Sequence, residues 1–232
     1  MFEKRSSQLE RIDTGDYTPS EYARYHREIR FINRYLGDYW AIRKTLLRDI
    51  ERRNLSEFSV LDVGAGSGEL LTLIARFART TGRSSTLVGL DLSEDAVRSI
   101  ASETNEYSEI RPLRADAFTL PFKDGGLNYV ISSLFFHHLP DEKIPEVIDE
   151  MARVAKDGIV IIDLERKRRA WLLFRLFCKA FRISPLVTED GALSIRRGFT
   201  SSEFRQLGER SSLTSFDVMR SFPYRIILLT PL

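Results

Sequence analysis

The chain has 232 residues, 43% of them hydrophobic and 29% charged, and carries a formal net charge of +2. That length suits one sizeable α/β domain better than two, and so small a charge argues against a nucleic-acid binder, which is usually strongly basic. The single cysteine, Cys178, excludes an internal disulfide and a cysteine-cluster zinc site; no apolar run reaches membrane-span length and no apolar leader opens the sequence, so a cytoplasmic protein is expected.

Residues 1 to about 19 are polar, with Thr14-Gly15-Asp16 and Pro19, and read as a loose arm. From Ser20 to about Arg53 the residues Tyr22, Tyr25, Ile29, Ile32, Leu36, Tyr39 and Trp40 recur at steps of three and four, which predicts one or two helices broken at Gly37. Arm and helices together form an N-terminal cap over 1–55, ahead of a domain spanning 56–232. That domain opens with an apolar strand near 58–63 ending at Asp62. Gly64, Gly66 and Gly68 follow on alternate positions, and a helical pattern runs over 68–80. Glycines there let the backbone turn sharply and approach a ligand where a Cβ would collide, while loop amides and the positive helix end face it. A dinucleotide fingerprint needs G-x-x-G after its first pair. Here the third glycine comes one residue sooner and Glu69 follows it, which argues against a pyrophosphate at the helix end.

An acidic residue followed by G-x-G-x-G, between a strand and a helix, resembles motif I of the class I S-adenosylmethionine (SAM) methyltransferases. The likeness runs over about 58–165 and is nearest the branch containing quinone-biosynthesis and small-molecule enzymes. It implies SAM as cofactor, S-adenosylhomocysteine as product, and a Rossmann-like, mostly parallel seven-stranded sheet with helices on both faces. Strands are expected near 85–91, 110–115, 127–133 and 158–163, with helices near 93–104 and 141–155, and Thr214–Leu232 reads as the closing antiparallel hairpin. In that family the residues corresponding to Asp62, Gly64, Ala65, Gly66, Gly68, Asp91, Leu92, Asp116, Ala117, Ser132 and Ser133 line the cofactor site. Asp91 stands 27 residues beyond Gly64, where a βαβ unit delivers its second strand tip and a carboxylate can accept both ribose hydroxyls. The alternative is a helix cap, although Ser93 already holds that position. Asp116 matches the position that reads the adenine amino group, the alternative being a solvated loop carboxylate.

Phe135-Phe-His137-His138-Leu-Pro follows the fourth strand. Either histidine could serve as a base toward an acceptor hydroxyl, or only brace the loop. A metal role is not expected, since no third ligand stands near them in sequence. Glu165 and Arg166 are further candidates for polar contacts to substrate.

After the fifth strand the pattern changes to an apolar helical insertion at about 166–212. Within it, Trp171, Leu172, Leu173, Phe174, Leu176, Phe177 and Phe181 surround a stripe of Arg175, Lys179 and Arg182. This helix can wall an apolar acceptor pocket, touch a membrane surface through 166–182, or simply pack. The stretch with Pro185, Asp190 and Gly191 reads as a loop, and Phe199-Thr-Ser-Ser-Glu203 as a capped helix start. Arg30–Asn33, Ile162–Arg166 and Asp190–Thr200 also resemble a group of bacterial methyltransferases associated with polyketide-type pathways. In that likeness Asp190, Gly191, Arg196 and Arg197 either rim the acceptor site or fix a loop by pairing. The expected reaction is methylation, at oxygen, of a small and largely apolar phenolic, quinol or polyketide-like acceptor. The alternatives are a nucleic-acid methyltransferase and a non-catalytic SAM-fold binding protein.

Overall fold

The computed structural model describes residues 2–35 and 37–231. Leu36 and the side chains of Tyr22 and His26 lie outside what is described.

Seven strands form one sheet in the order β3-β2-β1-β4-β5-β7-β6. They are β1 (Glu57–Val63), β2 (Ser84–Asp91), β3 (Ile110–Arg114), β4 (Leu127–Ser133), β5 (Ala155–Leu164), β6 (Asp217–Ser221) and β7 (Arg225–Leu229). The first five pair in parallel, and β7 runs antiparallel to both β5 and β6. The sheet is therefore mostly parallel with an antiparallel closing hairpin, as the sequence leads one to expect.

Side chains alternate between the two faces with the strand period of two. On one face Val60, Tyr129, Ile131, Val160, Ile162 and Ile227 are buried against α5 (Glu69–Thr80) and against residues 41–50. Those belong to the helical run of α3 (Asp38–Ile42), a π turn (Arg43–Leu47) and α4 (Arg48–Arg52). On the other face Leu61, Val63, Val130, Ile159, Ile161, Ile226 and Leu228 pack on α7 (Ile144–Val154) and α10 (Ser201–Glu209). Strands covered on both faces are buried throughout, which is why they read as near-continuous apolar runs.

A third apolar cluster lies off the sheet. It joins α2 (Pro19–Tyr35), α8 (Arg168–Ala180) and α9 (Pro185–Arg197) through Ile32, Phe174, Cys178, Val187 and Ile195. Residues 185–197, expected as a loop, are this last helix. Pro185 occupies its first turn, where the missing N–H costs nothing. Gly191 sits inside it because any Cβ would collide with the Phe174 ring.

The order in which successive strands are added to the sheet reverses between β1 and β4, which themselves run parallel. That crevice, beyond the carboxyl ends of the strands, is where open α/β sheets bind ligands.

Candidate functional site

One cavity of about 790 Å³ occupies the crevice and continues under the helical roof. Its first half is built from backbone and carboxylates. Gly64 and Ala65 donate their N–H groups to Leu90 O at 2.9 and 3.0 Å, which folds the glycine loop back over β2. Gly64 and Gly66 have φ of +73° and +57°, in the left-handed region that glycine enters without a steric penalty. A Cβ on Gly64 would lie 2.7 Å from the Phe135 ring, whereas one on Gly66 would meet no protein atom. The loop thus presents bare backbone to the cavity at Gly66. Asp91 accepts from Gly66 N at 3.1 Å and from Ser93 N at 2.9 Å, and its remaining lone pairs face a cavity that it lines. The helix cap is separate, since Ser93 accepts from Ala96 N. Asp116 accepts from Phe118 N at 3.0 Å and, with Leu92 and Ala117, lines the same half.

Asp62 is 3% exposed and its Oδ1 has no hydrogen-bond partner. Burial first, and the neighbouring Asp91 carboxylate second, push its pKa up to about 8. A buried acceptor left unpaired is costly, so this atom calls for a donor, best a cationic one, arriving from the cavity that Asp62 lines.

The second half is roofed by side chains. Tyr25, Ile29 and Ile32 of α2 line it together with Ala170, Leu173, Phe174 and Phe177 of α8, Ile195 of α9 and Tyr39. Trp40 turns outward instead, with Lys44 Nζ 4.6 Å from its ring centre. Phe174 packs beneath α9 while Leu172, Leu176 and Phe181 remain exposed, so α8 shows one face to the cavity and core and another to solvent.

Between the halves lie the two histidines, on a single 3₁₀ turn at Phe136–His138. His137 is buried; its N–H donates to Asp163 Oδ2 at 3.0 Å, and its Nδ1 lies 2.8 Å from Oδ1 of the same carboxylate. Burial opposes the charge on Asp163, but the His137 ring and the amides of Leu164 and His137 outweigh it and hold that pKa below the usual carboxylate value. The His138 ring lies tilted against that of His137 with centres 4.2 Å apart, and its Nδ1 lies 3.2 Å from Asp13 Oδ2. Burial depresses the His138 pKa, yet the bond to Asp13 and the charges of Glu10 and Asp13 raise it overall.

The arm supplies a residue the sequence did not bring to notice. Glu10, 1% exposed, places Oε1 3.8 Å from His137 Nε2, and that oxygen has no hydrogen-bond partner. Far from loose, residues 2–16 are docked by long-range polar contacts. Asp190 accepts from the N–H groups of Arg11 and Ile12 and so caps α1 (Arg11–Thr14). Arg5 donates to the His137 and Leu139 carbonyls and pairs with Asp141. Arg197 donates to the carbonyls of His137 and His138, and to Asp13. Asp190 and Arg197 are therefore braces of the histidine turn and the arm, and do not pair with each other. Arg166 is likewise structural: buried, it bonds Phe2 O, Gly198 O and Glu203. Glu165 does line the cavity, while paired with Lys167 and Arg220.

Of the residues expected at the cofactor, Asp62, Gly64, Ala65, Gly66, Asp91, Leu92, Asp116, Ala117 and Ser133 line the cavity, as do His137 and His138. Gly68 and Ser132 are not among the lining residues. Gly68, at φ +76°, is the turn into α5, where a Cβ would press on Thr104 at 3.1 Å. Ser132 is buried and donates to Val63 O at 2.7 Å, tying β4 to β1 beneath the floor. The residues missing from the sequence reading are Glu10, Asp13 and Asp38. Asp38 is held by Arg225 at 2.8 and 3.0 Å and accepts from Ser133. Only an acid closing the fifth apolar run, Asp163, left a local signal.

Comparison with known proteins places these features in context. A family model described as a methyltransferase domain matches residues 60–158. The demethylmenaquinone methyltransferase of Bacillus licheniformis is 31% identical over 140 residues, a match covering 53% of this chain and 58% of that protein. The chain thus spans little more than half the length of the curated relatives it matches. Among solved structures, a SAM-dependent methyltransferase from Aquifex aeolicus superposes with a TM-score of 0.62 at 18% identity, covering 92% of this chain and 98% of that one. Magnesium protoporphyrin IX methyltransferase from Synechocystis, solved with bound S-adenosylhomocysteine, gives 0.61 at 18% identity, covering 94% and 96%. The lining groups fit S-adenosylhomocysteine, the ligand bound in the Synechocystis structure. The unpaired Asp62 oxygen suits an α-ammonium, Asp91 retains acceptor sites for ribose hydroxyls, and Gly66 leaves room for close approach.

Proposed function

We propose that this chain is a class I SAM-dependent methyltransferase that transfers the sulfonium methyl group to a small, largely apolar acceptor, at an oxygen of a phenolic, quinol or polyketide-like molecule. The observation that carries this reading is the continuity of the cavity. Its carboxylate-and-glycine half opens directly into an aromatic half, with two histidines between them. The activated methyl group needs little covalent help from the protein, so holding the acceptor in line supplies most of the effect. Cofactor contacts are assigned to Asp62, the Gly64–Gly66 loop, Asp91, Leu92, Asp116, Ala117 and Ser133.

His137 and His138 are assigned to the acceptor, at the point where a hydroxyl must give up its proton before or during transfer. Asp163 fixes the His137 ring through Nδ1 and leaves Nε2 for that task. Tyr25, Ile29, Phe174 and Phe177 exclude water from the sulfonium and suit a greasy ring or chain. The resemblance to a demethylmenaquinone methyltransferase supports a quinol-like acceptor. A division into an N-terminal cap over 1–55 and a catalytic domain over 56–232 follows from the same reading.

Peripheral membrane contact is a separate part of the proposal. Leu172, Leu176 and Phe181 are exposed beside Arg175, Lys179 and Arg182, a surface suited to an anionic bilayer carrying apolar substrate. Among the described residues no helix is long and apolar enough to cross a membrane.

The test is a transfer screen with methyl-labelled SAM against phenols, quinols, polyketide-like pyrones and fatty acids, with RNA as a comparator. Label in a phenol or quinol oxygen is the expected result. Label in RNA alone, or in none of the acceptors despite cofactor binding, would overturn it.

A further inference from the structure

The histidine turn carries a donor set that proton transfer alone does not account for. One ring nitrogen each of His137 and His138 and one oxygen of Glu10 all lie within 4.8 Å of one another. Each imidazole has its Nδ1 against a carboxylate, Asp163 for His137 and Asp13 for His138. This is the arrangement by which proteins fix the ring of a metal-ligating histidine and raise its basicity, leaving Nε2 as the ligand atom. Glu10 is 1% exposed with Oε1 unpaired, 3.8 Å from His137 Nε2 and 4.0 Å from Arg197 Nε.

The charge balance points the same way. Glu10, Asp13 and Asp163 surround two imidazoles, and among the described residues Arg197 is the one guanidinium paired with them. Arg5, which also reaches the turn, is paired with Asp141. With both rings neutral, as ligation requires, three carboxylates against one guanidinium leave two negative charges around a largely buried turn, a deficit that one divalent cation removes. Burying such groups without compensation would be costly.

We propose that Glu10, His137 and His138 bind a divalent cation of the zinc class. Two imidazoles and one carboxylate form the protein ligand set of many catalytic zinc sites, which keep a further position open. All three residues line the cavity, so the open position meets an acceptor oxygen there. A tetrahedral zinc site places its ligand atoms roughly 3.3 Å apart, and the 3.8 Å between Glu10 Oε1 and His137 Nε2 approaches that separation. With the cation bound, the Nε2 lone pairs are ligands, so the proton-accepting role given to them above belongs to the cation-free chain. A role of the cation at the acceptor rests on the methyl-transfer reading above, whereas its binding does not.

The full chain, stripped with chelator and dialysed, is titrated with Zn²⁺ against a chromophoric competitor, and separately with Co²⁺ followed by visible absorption. S-adenosylhomocysteine binding is measured calorimetrically on the same samples. The expected result is one tight equivalent per chain, weakened by about 100-fold or more in Glu10→Gln and His138→Gln, with the intense cobalt bands of a four- or five-coordinate site. Zinc affinity unchanged in Glu10→Gln, or wild-type cobalt spectra indistinguishable from the aqueous ion, overturns the proposal even if a variant folds poorly. Loss of homocysteine-ligand binding with zinc retained overturns the cofactor reading and leaves the metal site standing.

Discussion

The two halves of the cavity are constructed in opposite ways. The cofactor half comes almost wholly from one stretch, Asp62 to Phe118, joined by Ser133, with strand ends and loop backbone as its working parts. Most of its binding geometry follows from where β1, β2 and β3 stop. The acceptor half, under its aromatic roof, meets it at a reactive edge of Glu10, Asp13, His137, Asp163 and Arg197, drawn together from 2–16, 136–138, 163 and 197. Its parts are buried charges that depend on one another. A site made of backbone is insensitive to most side-chain changes except at its glycines. A site made of mutually compensating charges fails when any one is removed. The halves are therefore expected to fail separately.

The largest expected effect lies at the acceptor end. Asp163→Asn removes the group that fixes His137 and should lower methyl transfer by about 100-fold or more, with S-adenosylhomocysteine affinity within about twofold of wild type. Equal losses of both would mean that the two halves are one cooperative unit. At the cofactor end, the glycines separate packing from binding. Gly64→Val faces both a positive φ and the Phe135 ring and should cost about 2–5 kcal/mol of stability in denaturant unfolding. Gly66→Val has open space beside it, so its stability loss should stay near about 1–2 kcal/mol while cofactor affinity falls by about 100-fold. A reversal of that order would contradict the placement of the loop.

A smaller effect concerns pH. Free Asp62 has its pKa raised to about 8, so near neutrality it is mostly protonated. A cationic ammonium arriving beside it favours the carboxylate, which means that binding releases a proton. Affinity for S-adenosylhomocysteine should then rise with pH, approaching about tenfold per unit below pH 7, and level off above about pH 8. Calorimetry in buffers of different ionisation enthalpy reads the released proton directly, and a flat profile would remove Asp62 from the ammonium site. The smallest effect is expected at the outer face of α8. Leu172→Asp with Leu176→Asp should abolish binding to anionic vesicles and leave transfer to a water-soluble acceptor within about twofold of wild type.

How much of this was legible in the sequence follows from the same contrast. The Asp62–Gly68 motif, the five alternating strands and the acids at 91 and 116 are local patterns, and strand-end position does the rest. The acceptor half has no such periodicity, because Glu10 and His137 are 127 residues apart in the chain and meet only through the docking of the arm. Pro185 and Gly191 resembled loop markers. One is instead a favourable first-turn residue and the other makes room for Phe174, a partner no local pattern reveals. Arg166 read as a candidate for polar contact to substrate, yet it is buried among three backbone carbonyls and Glu203. Polarity alone did not say which charges fold inward.

The division of labour between the two halves is tested most directly by calorimetric titration of S-adenosylhomocysteine into the wild-type chain, Asp91→Ala and His138→Gln. The expected result is one site per chain, weakened by about 10- to 100-fold in Asp91→Ala through loss of charge-assisted hydrogen bonds, and unchanged within about twofold in His138→Gln. Undiminished binding in Asp91→Ala, or an equal loss in His138→Gln, would contradict it.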